Sequence, residues 1–374
     1  MRIGIDARFY GSLGKGLGRY TERLIHHLEQ LAPVGDEFIV FLRQENWDDY
    51  TPANAHFTKQ LADFRWYSFA EQVQMPKLVR AAKLDVMHYP HFNVPVRTPK
   101  PFVVTVHDLI LTHYPTRRAT TLGPLKYWLK QAAYRVVLSR AVARASRILT
   151  VSNFTKQDIQ QYFGYDPKKI TVAYEAVDAF PAPAVDDAEV RGRLNLPTKY
   201  LLYVGNAYPH KNLEQLISLA KLLREQQPDT HVVIVCKHDY FLQRVQTLAG
   251  QAGVTDRVHF PGYVSDADLG AVYRLAHAYI FPSLYEGFGL PPLEAMAQGT
   301  PVLSSDAACM KEILGNAALY FNPHDVHGML AILQQLDAQP AVRAQCIAAG
   351  HEQVQRYSWS ALARATLQAY HDIH

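Results

Sequence analysis

The stretch Tyr285 to Pro301 reads YEGFGLPPLEAMAQGTP and sets two carboxylates, Glu286 and Glu294, eight positions apart on either side of a glycine turn. The apolar run Ala278 to Pro282 (AYIFP) before it predicts a buried strand, and Leu290 to Gln298 after it predicts a helix bounded by Pro291 and Gly299. Gly287 and Gly289 reach backbone angles closed to other residues, and Pro291 suits a first helical turn because no donor is needed there. A strand, a sharp turn and a helix start follow, with amide groups and a positive dipole end suited to a phosphate. Glu286 then stands in the turn and Glu294 one turn into the helix, an arrangement that fits a ligand with hydroxyls at both ends and phosphates between them. Taken alone, the two acids also read as a solvated loop carboxylate and a helix-face carboxylate.

Outward from this segment the chain alternates strands with helices, the signature of parallel sheets covered on both faces. In the first half strands are expected at Arg2 to Ile5, Phe38 to Leu42, Val86 to Tyr89, Phe102 to Val106 and Ile148 to Val151, with helices such as Arg19 to Leu31 between them. The pattern restarts at Tyr200 to Val204, His231 to Val235, Val258 to Phe260, Ala278 to Phe281 and Val302 to Ser304. Between the halves, AVDAFPAPAVDDAEV (Ala176 to Val190) carries two prolines on a small and acidic background and reads as a linker. The expected fold class is α/β, with two Rossmann-like doubly wound domains facing across a cleft, residues 1–178 and 179–356. Ligands of such domains bind at the carboxyl ends of the strands.

Length and composition agree with two ordinary domains. At 374 residues the chain exceeds what one core usually reaches, and 48% hydrophobic with 19% charged residues excludes a disordered protein. Cys236, Cys309 and Cys346 are widely separated without metal-ligand spacing, which points to a reduced cytoplasmic compartment. The opening MRIGIDARFYG is interrupted by Arg2, Asp6 and Arg8 and reads as neither signal peptide nor anchor. Charge is unevenly placed: residues 1–175 carry 24 Lys and Arg against 15 Asp and Glu, a net +9, while residues 176–374 carry 14 against 19, a net −5. Between Asp108 and Asp158 there are nine basic residues and no acidic one. There Thr116 to Arg147 (116–147) mixes the bases with Leu122, Leu125, Tyr127, Trp128 and Leu129, a composition suited to an anionic membrane surface. A buried helix with a basic outer face is the other reading; nucleic acid is not expected, because no nucleic-acid motif accompanies the patch.

The strand ends carry the remaining candidates. After the first strand, GSLGKGLGRY places Gly14 and Gly16 in a glycine-rich stretch that suits a phosphate cradle or a mobile flap. Its spacing is not GxGxxG, and the second strand is followed by no obvious ribose-binding acid, so a nicotinamide cofactor is not supported. PFVVTV ends at His107, an imidazole able to donate to a phosphate or a sugar hydroxyl, or simply to a loop. YLLYV ends at GNAYPHKN, where Gly205, Asn206 and His210 precede Lys211, a compact positive charge able to neutralise a leaving diphosphate.

Together these residues resemble a known family. Glu286 and Glu294 within YEGFGLPPLEAMAQGTPV, with VGNAYPHKN, TVHDL, TVSNFTKQDI and the opening MRIGIDARFYG…GLGRYTERL, are similar to the retaining family 4 glycosyltransferases of GT-B fold, over nearly the whole chain. The resemblance implies an enzyme that moves a sugar from a nucleotide diphosphate donor to an acceptor hydroxyl with the anomeric configuration kept. It implies that the first domain binds the acceptor and the second the nucleotide sugar, and YSWSALARATLQAY, within residues 357–374, looks like the helix that crosses back onto the first domain in that fold. Glu286 would bind the donor sugar's hydroxyls, and the N–H groups of Phe288, Gly289 and Leu290 the sugar and diphosphate. Glu294 would accept the ribose hydroxyls, Lys211 would stabilise charge on the diphosphate, and His107 would lie near the reacting centre. No protein nucleophile, metal or cofactor is implied. Many relatives carry an arginine before the lysine where this chain has Asn206 and Ala207, so either His210 or another basic residue compensates or diphosphate stabilisation rests on Lys211 and the helix end.

The opening and the GNxxPHKN loop look most like bacterial mannosyltransferases that build polysaccharides on a lipid carrier. That favours GDP-mannose as donor and a glycan or polyprenyl-diphosphate-linked acceptor, in the cytoplasm or at the inner face of its membrane. A UDP-sugar-dependent transferase of the same fold, a nucleotide-sugar epimerase, a phosphorylase and a non-catalytic nucleotide-sugar-binding protein are the alternatives. Asp266-Ala267-Asp268 has a metal-binding form but follows Ser265 at a helix start and reads as a cap, and His26-His27 fall on a helix.

Overall fold

Short runs of apolar and β-branched residues, buried on both faces, build two parallel sheets, because only a sheet covered on both sides can hold such runs. The computed structural model describes residues 1–11, 15–116, 123–181 and 185–373. Its first unit comprises Met1–His113, Gly123–Glu175 and Ser358–His374, and its second Tyr114–Leu122 and Ala176–Tyr357.

The first unit holds β1 (Arg2–Asp6), β2 (Glu37–Leu42), β3 (Phe57–Leu61), β4 (Val86–Tyr89), β5 (Phe102–Val106), β6 (Arg147–Thr150) and β7 (Ile170–Val172), in the order β3-β2-β1-β4-β5-β6-β7. The second holds β8 (Lys199–Val204), β9 (Thr230–Val235), β10 (Val258–Gly262), β11 (Ala278–Phe281), β12 (Val302–Ser305) and β13 (Ala318–Phe321), in the order β10-β9-β8-β11-β12-β13. Among the described residues the pairings between these strands are all parallel. Each order reverses direction once, between β1 and β4 and between β8 and β11, and such a switch point opens a crevice at the strands' carboxyl ends.

Three strands have no counterpart in the sequence reading. In β3, FTKQL is an edge strand with one buried residue, β7 has three residues, and β13 (ALYF) is half-exposed at its centre, so none carries a long apolar run. The first helix spans Lys15–Leu31, four residues earlier than expected, and puts Gly16 in its first turn instead of a loop. Gly18 lies against the backbone of the preceding turn, where a Cβ would stand 1.9 Å from the Gly11 carbonyl oxygen, so this glycine serves close packing. Gly14 lies outside the described residues. The linker is shorter than its composition suggests: a helix at Asp187–Arg193, capped by the Asp186 carboxylate on the Glu189 amide, starts inside it. Ser265 takes the N-cap position of helix Asp266–Arg274, but its hydroxyl donates to Asp268 Oδ2 at 2.9 Å instead of capping the backbone.

The last helix, Trp359–His371, belongs to the first unit. It packs beside Lys15–Leu31, with Trp359 6.5 Å from Tyr20 between ring centroids. Tyr370 reaches the sheet, its hydroxyl 2.6 Å from Nδ1 of the buried His88 on β4. Arg147 at β6 pairs with Asp372 at 3.4 Å, and His371 with Asp36 at 3.1 Å.

Candidate active site

At the switch point of the second sheet, the loops leaving β8 and β11 are bound to each other. The Leu284 amide donates to the His210 carbonyl at 2.8 Å. Asn212, in the left-handed region at φ 59°, donates its side-chain amide to the carbonyls of Pro282 (3.1 Å) and Pro323 (2.8 Å). Asparagine tolerates that conformation, and one buried side chain here joins the loops after three strands. It thereby fixes the residue before it, Lys211, at the end of a short 3-10 turn.

Lys211 Nζ lies 2.6 Å from Glu286 Oε1 and 5.5 Å from the centroid of the Phe281 ring. Both side chains are largely buried, at 13% and 10% exposure, so their attraction is little screened. Glu294, one turn into helix Leu290–Ala297, is also buried, and its Oε2 accepts from the Tyr273 hydroxyl at 2.9 Å. Each carboxylate oxygen takes more than one donor, so both acids keep acceptor capacity toward hydroxyls. The structure thus joins Lys211 to Glu286 directly and steadies Glu294 with a tyrosine twenty-one residues earlier in the chain.

The turn between the acids is tightly built. Gly289 caps the helix at φ 96°, and a Cβ there would stand 2.8 Å from Met310 Cε. The Phe288 carbonyl accepts the Cys309 thiol at 3.3 Å. Of the first helical positions, Pro291 and Pro292 carry no N–H, so only Leu290 keeps its amide among the first three. The anion-binding capacity of this helix end therefore rests on fewer amides than the dipole argument implies, and more of the positive charge falls to Lys211.

Gly205, at φ 152°, leaves room for Tyr203, whose hydroxyl a Cβ would approach to 2.8 Å and which donates to the Asn206 carbonyl at 2.7 Å. The Asn206 side chain is exposed and accepts from the Tyr208 amide at 3.3 Å. Burial, opposed by Glu286 and reinforced by Lys211, pushes His210 down to about 4. His210 is therefore uncharged at neutral pH and does not replace the arginine of the family pattern.

His107 belongs to the first unit, at the carboxyl end of β5. Its Nδ1 is 3.2 Å from Glu175 Oε1 and its Nε2 3.0 Å from the Pro90 carbonyl. Both partners only accept, so the ring satisfies both as the imidazolium. Burial would lower its pKa, but the hydrogen bond and charge of Glu175, with Pro90, outweigh it and raise the value. The expected donation to substrate requires a nitrogen turned away from one of these partners; here the ring ties the end of β5 to the loop after β4 and to the last residue before the linker.

Beside it, at the switch point of the first sheet, sequence reasoning missed a buried ion cluster. Arg8 bonds Asp6 through Nε and Nη2, both at 2.7 Å, and Glu71 through Nη2 at 2.6 Å. Asn93 donates to both Glu71 oxygens at 2.8 and 2.9 Å, and the Tyr67 amide adds a bond at 2.8 Å. Arg8 is 0% exposed, which makes the cluster a brace between β1 and the loop after β4. The pair Asp6 and Arg8 in IDAR was visible; Glu71 and Asn93 arrive from distant helix and loop, and no local pattern pointed to them. Among the described residues no group of three or more His, Cys, Asp or Glu is arranged to hold a metal ion.

The two parallel α/β units have the GT-B fold, and the matches to glycosyltransferase family models along both halves make the chain a glycosyltransferase. The chain belongs to the family 4 glycosyltransferases: the family model described as Glycosyltransferase Family 4 matches residues 14–179, and the one described as Glycosyl transferases group 1 matches residues 186–353. It is 28% identical over 372 residues to O-antigen chain mannosyltransferase B of Escherichia coli, covering 95% of each chain. It is 26% identical over 339 residues to O-antigen chain mannosyltransferase RfbU of Salmonella typhimurium, covering 88% of this chain and 89% of that one. Among solved structures, sucrose-phosphate synthase from Thermosynechococcus elongatus shares the fold at a TM-score of 0.73 and 20% identity, over 100% of this chain and 98% of that one.

Proposed function

We propose that this glycosyltransferase moves mannose from GDP-mannose, with the anomeric configuration kept, to a hydroxyl of a glycan or polyprenyl-diphosphate-linked acceptor in cell-surface polysaccharide synthesis. The observation that carries the sugar is the similarity, over nearly full length, to two proteins named as O-antigen chain mannosyltransferases. The chemistry rests on the Lys211–Glu286 pair, which sets a cation and a hydroxyl-accepting carboxylate 2.6 Å apart.

In this reading Glu286, beside the ammonium of Lys211, accepts hydrogen bonds from mannose hydroxyls. Glu294 accepts from the ribose hydroxyls while Tyr273 fixes its orientation. As the bond from the anomeric carbon to the diphosphate oxygen breaks, charge grows on that oxygen, and Lys211 with the amides of Phe288, Gly289 and Leu290 stabilises it. The acceptor oxygen bonds the anomeric carbon on the same face and its proton passes to the departing diphosphate, so no protein nucleophile or metal takes part. His107 keeps the end of β5 in place.

Calorimetry with GDP, UDP and ADP in chelator tests the donor, and transfer from GDP-mannose to an acceptor glycan, with the new linkage assigned by one-bond carbon–proton coupling, tests the reaction. GDP preference and an α product from the α donor are expected. Preference for UDP removes the mannose reading, and a β product removes retention. Interconversion of the nucleotide sugar without acceptor makes the protein an epimerase, and dependence on inorganic phosphate makes it a phosphorylase.

A further inference from the structure

Two histidines meet on adjacent strands of the second unit, near the amino ends of β9 and β10, whereas Lys211 and Glu286 follow the carboxyl ends of β8 and β11. Val232 lies opposite Val258 and Val233 opposite His259, so side-chain alternation puts His231 and His259 together on the other face of the sheet from Val232 and Val258. His259 Nε2 stands 2.9 Å from His231 Nδ1, with ring centroids 5.0 Å apart. Because β10 is the edge strand, the pair borders solvent, and both residues are half-buried. Burial lowers both pKa values, helped by Arg257 at His231 and by His231 itself at His259. Both rings are therefore uncharged at neutral pH and share one proton between the facing nitrogens. Two neutral imidazoles held in contact are the commonest raw material of a metal site.

We propose that His231 and His259 bind a divalent transition metal of right-angle coordination, Ni(II) or Cu(II), which staples the edge strand β10 to β9. For metal–nitrogen bonds of about 2.0 to 2.1 Å, two imidazole nitrogens stand about 2.9 Å apart at a right angle and about 3.3 Å apart in a tetrahedron. The 2.9 Å between these rings matches the first, so tetragonal Ni(II) or Cu(II) fits with less movement than tetrahedral Zn(II). On binding, the shared proton moves to the outer nitrogen of the ring that donated it, both lone pairs turn to the metal, and no net proton is released. The His231 ring is also hydrogen-bonded to the backbone of Asp256, an outer contact of the kind that orients a metal-ligating imidazole. The Asp256 carboxylate is paired with Arg224 and Arg257, so it offsets the charge of Arg257 and does not serve as a third ligand. Among the described residues no third His, Cys, Asp or Glu completes the site, and water takes the remaining positions. The inference does not depend on which sugar or acceptor the enzyme uses.

The test is calorimetric titration of the untagged full chain with Ni(II) and Cu(II) chloride, with the electron paramagnetic resonance spectrum of the copper form recorded at one equivalent. The tightest site should show hyperfine coupling to two nitrogens, and Ni(II) should raise the melting temperature because the metal binds the folded chain. His231→Gln and His259→Gln should each weaken that site by about a hundredfold, since the second imidazole binds at a high effective concentration. Zn(II) should bind at least about tenfold more weakly than Cu(II). His26→Gln, in the exposed His26–Gln30 pair of the first unit, should leave the site unchanged. If His231→Gln fails to fold, His259→Gln, on the edge strand, decides alone. An unchanged titration in His259→Gln, coupling to a single nitrogen, or an equal loss in His26→Gln overturns the proposal and leaves the pair as a hydrogen bond between strands.

Discussion

Lys211 Nζ and Glu286 Oε1 lie 2.6 Å apart at the switch point of the second sheet, so the residue proposed to hold the diphosphate and the one proposed to hold the sugar form a single ion pair. Removing one partner strands the other in a poorly solvated place, which typically costs about 3 kcal/mol. Lys211→Met should therefore lower the melting temperature clearly, and adding Glu286→Gln should restore much of the loss. Transfer should fall on the order of a hundredfold in Lys211→Met and stay low in the double variant, because the charge that meets the diphosphate is absent in both. Additive melting losses in the two single variants would show that the pair is not coupled.

Glu294 is buried and oriented by Tyr273. Hydrogen bonds to a charged acceptor contribute roughly 1.5 to 3 kcal/mol, so Glu294→Ala should weaken GDP binding by roughly ten- to a hundredfold. Tyr273→Phe keeps the carboxylate and loses only its support, and should weaken binding less. Equal GDP affinity in wild type and Glu294→Ala, measured by calorimetry, removes the ribose role.

Gly289 combines a left-handed φ of 96° with a close approach to Met310. Gly289→Ala should destabilise the protein by roughly 1 to 3 kcal/mol and raise the donor KM, because the amides of this turn move with it. Adding Met310→Ala relieves the steric part and leaves the backbone strain, so it should recover the lost melting temperature only in part. Full recovery would mean that the backbone angle carries no strain.

Buried histidines give stability a pH dependence of two signs. Burial, together with the charge of His107, pushes His88 and His91 down to about 3, and burial lowers His210 to about 4. An unfolded histidine titrates near about 6.5, so below that pH the unfolded chain takes up protons the folded one refuses. Stability should then fall toward acid by about 1.4 kcal/mol per pH unit for each such group. His107 is raised, so its contribution is fully present below about 6.5 and is lost as pH climbs through its folded value. Melting temperatures recorded across the pH range should show His88→Gln with a shallower acid limb and His107→Gln with a shallower alkaline one. An acid limb of unchanged steepness in His88→Gln would contradict the burial argument.

Strands such as Phe102–Val106 and Ala278–Phe281 were legible because a parallel sheet buried on both faces demands uninterrupted apolar runs, and the same rule hid the exposed edge strand Phe57–Leu61. The turn around Gly289 and the helix carrying Glu294 were legible for a local reason too: glycine and proline restrict the backbone wherever they stand. By itself the sequence determined two α/β domains, the family resemblance and the two acids with their lysine. Only the tertiary structure decided which groups meet. Lys211 finds Glu286 seventy-five residues away, Tyr273 finds Glu294, Glu175 finds His107, and Arg8 gathers Asp6, Glu71 and Asn93. Apart from Asp6 and Arg8, these partners come from different strands, helices and loops, and their distance is set by strand order and register, which no local spacing along the chain encodes.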